Sequence, residues 1–222
     1  MTTGDRWIAA TWPLVRSHLP ASPAHVVEVG CGSLGGFVPM LDVHGYVAVG
    51  IDPVAPDGAH YQQMEFERAE LPRHLDAVVA CTSLHHIADP ATVIDRIVST
   101  LSSRGTVVVI EWAWEEFDTQ TAEWCFSRLS DGEEGWLRRH RDEWRASGKD
   151  WRSYLHDWAE REGLHRGDVL VRLLDQRLER KLLRYGPYFF PDLADTSEAD
   201  EQSAIAVGQI RATRIHWVGT RR

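Results

Sequence analysis

The stretch Val26-Val27-Glu28-Val29-Gly30-Cys31-Gly32-Ser33-Leu34-Gly35-Gly36 decides how the rest of the chain is read. Its first half belongs to a β-branched run, residues 25–30, that closes on glycine, the pattern of a strand buried on both faces. Its second half is a glycine-rich turn leading into a short helical segment, residues 37–41. Glycine lets the backbone bend sharply and lets a ligand approach without meeting a Cβ. The N–H groups exposed by such a turn face a negative group on the ligand. Gly30, Gly32 and Gly35 satisfy G-x-G-x-x-G, a pattern that many tight turns share.

Further apolar runs follow at residues 46–51 (YVAVGI), 61–66, 75–82 (LDAVVACT) and 105–112 (GTVVVIEW). Between the last two, Asp89 suits a helix cap and Pro90 the first helical position. Val93, Ile94, Ile97, Val98 and Leu101 then repeat at helical spacing. Strand, helix, strand at this interval is a right-handed crossover, and its repetition builds a parallel sheet with helices on both sides. Asp52 closes the second run, 20 residues beyond Gly32. There its two carboxylate oxygens can accept both hydroxyls of a ribose, and with the glycine turn they suit an adenosine-containing cofactor. A capped Asp-Pro turn is the plainer reading of Asp52 alone. Two such cofactors compete, a nicotinamide dinucleotide and S-adenosylmethionine. Glu28, at the mouth of the turn, repels a pyrophosphate and favours an ammonium or sulfonium.

Residues 115–180 contain few β-branched runs. Trp136, Leu137, His140 and Trp144 share one helical face, as do Trp151, Tyr154, Leu155 and Trp158. Residues 113–180 therefore read as a helical insertion or lid between the fifth and sixth strands. From 138 to 184 there are 13 Lys/Arg against 9 Asp/Glu. Mixed signs favour solvated helix faces over a basic lid on an anionic acceptor. Strand character returns at residues 178–190 and 210–219, flanking a polar stretch without a clear crossover helix. These two strands are expected to pair antiparallel at one sheet edge.

The chain has 222 residues, 43% hydrophobic and 26% charged, and suits one full-sized domain spanning 1–222. A net charge of −9 sets it against nucleic acid and anionic membranes. The three cysteines, Cys31, Cys81 and Cys125, are too few and too scattered for a disulfide framework or a structural zinc site. The opening MTTGDRWIAATWPLVRSHLP has an early acid and no long apolar core, and no run approaches the ~20 residues of a membrane span. A cytoplasmic location is expected.

VVEVGCGSLGGF, VAVGIDP, FERAELPRHLDAVVACTSLHHIADP and LSSRGTVVVIEW together resemble the motifs of class I S-adenosylmethionine-dependent methyltransferases, in particular the small-molecule group often called type 11. The likeness runs over roughly residues 22–112 and returns more weakly in IRATRIHWVGTRR. It implies a doubly wound, Rossmann-like α/β fold with a seven-stranded sheet whose last strand is antiparallel. It implies that Glu28, Gly30, Cys31 and Gly32 meet the methionyl part of S-adenosyl-L-methionine, and that Asp52 takes the ribose with Pro53 near the adenine. Glu67 and Arg68 would lie by the adenine amine, and Thr82 would face the sulfonium. The third glycine of the motif falls on Gly35 or Gly36.

The implied reaction is methyl transfer to oxygen or nitrogen of a small-molecule acceptor, by a monomer or a homodimer. Proximity supplies much of the rate, and a base is needed only for a hydroxyl or a protonated amine. His85 and His86, after the fourth strand, and Glu111, ending the fifth, are the catalytic candidates. At least one histidine is expected to pack under the loop. No metal is expected from this set, because two adjacent histidines and a remote acid are poor ligand spacing. Most of the ten tryptophans read as core, Tyr188 as a group orienting an acceptor, and Trp7 as part of an N-terminal helix over the cofactor. A nicotinamide-dependent oxidoreductase and a non-catalytic adenosylmethionine-binding protein are the competing readings. The absence of Y-x-x-x-K speaks against the first.

Overall fold

The glycine turn leaves the end of the first strand of a mixed sheet. The computed structural model describes residues 3–130 and 135–222. The chain opens with α1 (Thr3–His18), β1 (His25–Val29), α2 (Val38–Val43), β2 (Val47–Ile51) and a two-residue β3 (Tyr61–Gln62). It continues through β4 (Leu75–Cys81), α3 (Pro90–Thr100) and β5 (Leu101–Trp112). Three helices follow, α4 (Thr119–Phe126), α5 (Trp136–Ser147) and α6 (Trp151–Arg161), and then α7 (Gly167–Arg177). β6 (Leu178–Gly186), α8 (Glu198–Ala206) and β7 (Arg214–Arg221) complete it.

The strand order is β3-β2-β1-β4-β5-β7-β6. β7 runs antiparallel to both β5 and β6, and the pairings among β1 to β5 are parallel. The doubly wound seven-stranded sheet that the resemblance implied is the fold observed. Successive side chains of a strand face opposite ways. Val27, Val29, Val78 and Val107 accordingly pack on Ile94 of α3 and Leu174 of α7. Val26, Val79, Val108 and Ile110 pack on the other side, against Trp12 and Val15 of α1 and Leu41 of α2.

Several elements differ from expectation, and β5 begins at Leu101, a residue expected in the preceding helix, rather than at 105. β3 stops early because Phe66, expected in the strand, is buried at the head of a 3-10 turn, Phe66–Arg68. β6 ends at Gly186, just before Pro187, which has no N–H for a ladder. β7 begins at Arg214 rather than at residue 210. The polar stretch between them holds a helix, α8, started by a reciprocal cap in which Ser197 Oγ accepts the Asp200 N–H and the Asp200 carboxylate accepts the Ser197 N–H. Its sequence EADEQSAIA has no apolar stripe, so periodicity could not reveal it.

Residues 113–180 divide their packing. α7 lies on the sheet beside α3, whereas α4 to α6 gather Trp112, Phe117, Trp124, Trp151 and Leu155 into a second, aromatic core. Residues beyond β6, among them Phe189, Leu193 and Ala204, complete that core. Several cations in and between α5 to α7 pair with acids on the surface, as in Lys149–Asp157, Arg166–Asp168 and Arg177–Asp95. This is the solvated-face reading of the charge balance.

Candidate functional site

A cavity of about 910 Å³ opens at the carboxyl ends of β1, β2 and β4. It lies where the chain has built outward from β1 on one side and from β4 on the other, the switch point at which open α/β sheets bind ligands. All nine residues assigned to a cofactor from the sequence line it: Glu28, Gly30, Cys31, Gly32, Asp52, Pro53, Glu67, Arg68 and Thr82.

Backbone geometry shapes the floor. Gly30, at φ +77°, donates its N–H to the Ile51 carbonyl at 2.8 Å, and a Cβ there would fall 2.2 Å from Ser83 Cβ. Gly36, at φ +56°, has the Glu28 carboxyl where its Cβ would be, with Oε1 2.3 Å from that point. Gly35 and Gly36 both adopt positive φ, and of the two only Gly36 lines the cavity. Asp52 ties two loops together, Oδ2 accepting the Gly32 N–H at 3.0 Å and Oδ1 the Val54 N–H at 2.9 Å. Each oxygen keeps acceptor capacity beyond these bonds.

Glu28 is almost fully buried and accepts the Phe37 N–H at 2.7 Å, at the entry to α2. Burial pushes its carboxyl up to about 8, outweighing the Phe37 and Val38 N–H groups that pull it down, and Asp52 adds to the rise. The ligand-free protein therefore holds this group mostly protonated at neutral pH. This amends the expectation of a standing negative charge. Burial, then Glu28 and Asp52, push the Cys31 thiol up to about 12, so it is no nucleophile at neutral pH. Glu67 and Arg68 sit on the 3-10 turn at the cavity wall.

Thr82 follows β4 at φ +49°, a costly conformation for a β-branched residue. Its N–H donates to the Ile110 carbonyl and its hydroxyl to the Cys81 carbonyl, both at 2.8 Å. The strained turn carries the next residues under the control of Glu111. This carboxylate is fully buried and accepts the N–H groups of Ser83 at 2.9 Å, Leu84 at 2.7 Å and Trp112 at 3.1 Å. It also meets His85 Nδ1 at 2.5 Å. Burial alone would raise Glu111, but the His85 ring and these N–H groups hold it below the usual range.

The two histidines separate. His85 is buried against Glu111 and Trp112 and is not among the cavity-lining residues. His86 lines the cavity, its ring 4.2 Å from that of His85. Burial, and then the neighbouring His85, lower its pKa, so it is uncharged at neutral pH. Trp7 and Ile8 of α1 close the same end of the cavity, together with Cys81, Ile87 and Ala88. Tyr188 lies behind them, stacked on Trp112 at 5.6 Å and edge-on to Trp7 at 5.0 Å. Arg184 and Tyr185, near the end of β6, do not line the cavity: Arg184 donates to His216, and Tyr185 is exposed. Among the described residues, no three His, Cys, Asp or Glu side chains gather as a metal site. Nor is any helix among them long and apolar enough to cross a membrane.

Sequence reasoning missed Glu201 and Arg214. Glu201 is fully buried and accepts the N–H groups of Tyr188, Phe189 and Phe190, fixing the segment that carries Tyr188. No pattern in the polar helix α8 marks it.

Comparison with known proteins agrees with this geometry. The family described as methyltransferase domain matches residues 6–166. A 2-ketoarginine methyltransferase from Streptomyces arginensis is 43% identical over 61 residues, which make up 26% of this chain and only 18% of that protein. An S-adenosylmethionine-dependent methyltransferase from Mesorhizobium loti shares the fold with a TM-score of 0.57 at 18% identity, over 96% of this chain and 98% of that one. A geranyl diphosphate C-methyltransferase from Streptomyces coelicolor A3(2) does so with a TM-score of 0.57 at 14% identity, over 96% and 76% of the two chains. The family match spans well over half of the sequence and reaches from α1 to the loop before α7, and on that ground the chain belongs to the methyltransferase domain family.

Proposed function

We propose that the protein transfers a methyl group from S-adenosyl-L-methionine to a small-molecule acceptor, at oxygen or nitrogen. The observation that carries this is one cavity lined jointly by Glu28, Gly32, Asp52, Thr82 and His86. The donor set suits the cofactor. Gly32 is at φ +64° with no atom within 4 Å of where a Cβ would stand, so the turn is open to a ligand. Asp52 retains lone pairs for two hydroxyls, and Glu28 offers a carboxyl that ionises against an ammonium.

When bound, the cofactor supplies a methyl group already activated on a sulfonium. The chain's own task is to orient and to keep water out. Glu28 and the turn at Gly30 and Gly32 hold the methionyl end, and Asp52 the ribose. Pro53, Glu67 and Arg68 would border the adenine, and the Thr82 turn would face the sulfonium. Trp7, Ile8, Ile87 and Ala88 wall the acceptor end with apolar surface. His86, uncharged and facing the same space, takes a proton from the acceptor where the acceptor carries one. His85 and Glu111 act through His86 as a positioning pair. The structural neighbour that methylates carbon widens the choice of atom, since a carbon acid also needs a base.

Calorimetric titration with S-adenosylhomocysteine and, separately, with NADH tests the reading. Micromolar uptake of the first and none of the second is expected. Tight uptake of NADH alone would overturn it in favour of hydride transfer. Uptake of S-adenosylhomocysteine without turnover of any acceptor would leave a binding protein.

A further inference from the structure

Arg214 begins β7 beside Trp112 at the end of β5, so the antiparallel strand delivers a cation to the catalytic end of the sheet. The residue is only 2% exposed. One terminal nitrogen, Nη2, donates to Glu198 on the first turn of α8. Nε and Nη1, which carry three of the five guanidinium N–H donors, are buried with no hydrogen-bond partner. Buried donors are rarely left in this state unless a ligand or water completes them.

The surroundings say where that ligand comes from. The guanidinium carbon lies 5.2 Å from the Trp7 ring centre and 5.8 Å from that of Phe190. Trp7 also lines the cavity, and its indole N–H donates to the Sγ of Cys81, another lining residue, at 3.3 Å. One indole therefore stands between the open donors and the acceptor end. The charge of Arg214 is already felt at Cys81 and Tyr188, whose protons it helps to loosen against burial. The helix carrying Trp7 is pinned: Arg6 donates to the carbonyls of Phe190, Pro191 and Thr196, each at 3.0 Å.

We propose that Arg214 is the acceptor-recognition residue of this site, and that it receives the carboxylate of a flat, apolar methyl acceptor that displaces the Trp7 ring. The inference rests on the methyl-transfer reading and deepens it. A carboxylate fits better than a diphosphate, because Arg214 already shares its charge with Glu198. Arg214 does not itself line the cavity, and the one cation that does among the described residues, Arg68, stands beside Glu67. The flat body follows from the rings around the guanidinium, Trp7, Tyr188 and Phe190, with Trp112 stacked behind Tyr188.

The test is calorimetry on the full chain saturated with S-adenosylhomocysteine, using phenylacetate and indole-3-acetate against their neutral amides. The acids are expected to bind at least ~10-fold tighter than the amides, in line with a charge-assisted pair. Arg214→Gln should abolish the preference while leaving S-adenosylhomocysteine affinity within about twofold, the scatter for a site it does not touch. Glu198→Gln should strengthen acid binding by about threefold or more, because it releases the guanidinium. If the Arg214 variant does not fold, Glu198→Gln decides. A pair with only a structural role predicts a lower melting temperature and unchanged acid binding there, and that result overturns the proposal. Equal binding of acids and amides, or no binding of either, also overturns it while the cofactor reading stands. Failure of the unaltered protein to take up S-adenosylhomocysteine overturns both.

Discussion

The imidazole Nδ1 of His85 lies 2.5 Å from Oε2 of Glu111, and the same carboxylate gathers the backbone N–H groups of Ser83, Leu84 and Trp112. One buried anion thus fixes both the loop after β4 and the ring that backs His86. Glu111→Ala strands four donors in a dry interior. A loss of ~3 kcal/mol or more in urea unfolding is expected, as for other broken buried networks. Glu111→Gln should cost less, because it keeps an acceptor oxygen.

His86 is the histidine that faces the cavity, and it is uncharged at neutral pH. His86→Ala should lower kcat by roughly 10²-fold or more for an acceptor that must lose a proton, with S-adenosylhomocysteine affinity little changed. The rate of the unaltered protein should rise with pH through a value below 6.5, and the variant should lose that limb. An acceptor with no proton to lose should be indifferent to the substitution. Equal turnover of a hydroxyl acceptor by both proteins would remove His86 from the chemistry.

Glu28 gives a signed pH dependence. Its folded pKa, about 8, stands above the ordinary 4.5, so the fold binds an extra proton between those limits. Stability of the ligand-free protein should therefore fall as pH rises through this window. His140 and His216, lowered by burial to about 4 and about 3, act in the opposite sense but only below about 6.5. Between pH 6.5 and 8 the Glu28 slope should stand clear of theirs. Binding of S-adenosylhomocysteine should tighten over the same interval and release a proton, seen as a buffer-dependent heat. Glu28→Gln should flatten both curves.

Gly36→Ala places a methyl group on the Glu28 carboxyl and forces a side chain into positive φ. A loss of ~2 kcal/mol or more is expected, with S-adenosylhomocysteine affinity falling at least ~10-fold. Gly148→Ala is the control for positive φ alone, since nothing stands within 4 Å of its Cβ. It should cost only ~1 kcal/mol and leave binding intact.

Much of the site was legible because its residues sit where local rules apply. Asp52 ends a buried run, Asp89 caps α3 through the Thr92 N–H, and the turn glycines follow β1 directly. Each could be read within a few positions of its neighbours. Glu201 and Arg214 could not. Glu201 matters only because residues 188–190 fold back onto α8 from 11 to 13 positions away. Arg214 matters only because β7 pairs with β5, bringing Trp112 from far earlier in the chain to its side. The histidine pair was intermediate. The motif put both near the cavity, but which one turned inward depended on a carboxylate 26 positions away.

The position of β7 has a consequence for biogenesis. β6 is made before β7 yet, among the described residues, joins the rest of the sheet through β7 alone. While the ribosome is still adding residues 187–213, β6 has no template, and β5 presents an open, apolar margin. The nascent chain must pass through an interval in which a sticky border waits for its final partner, the kind of species that chaperones hold.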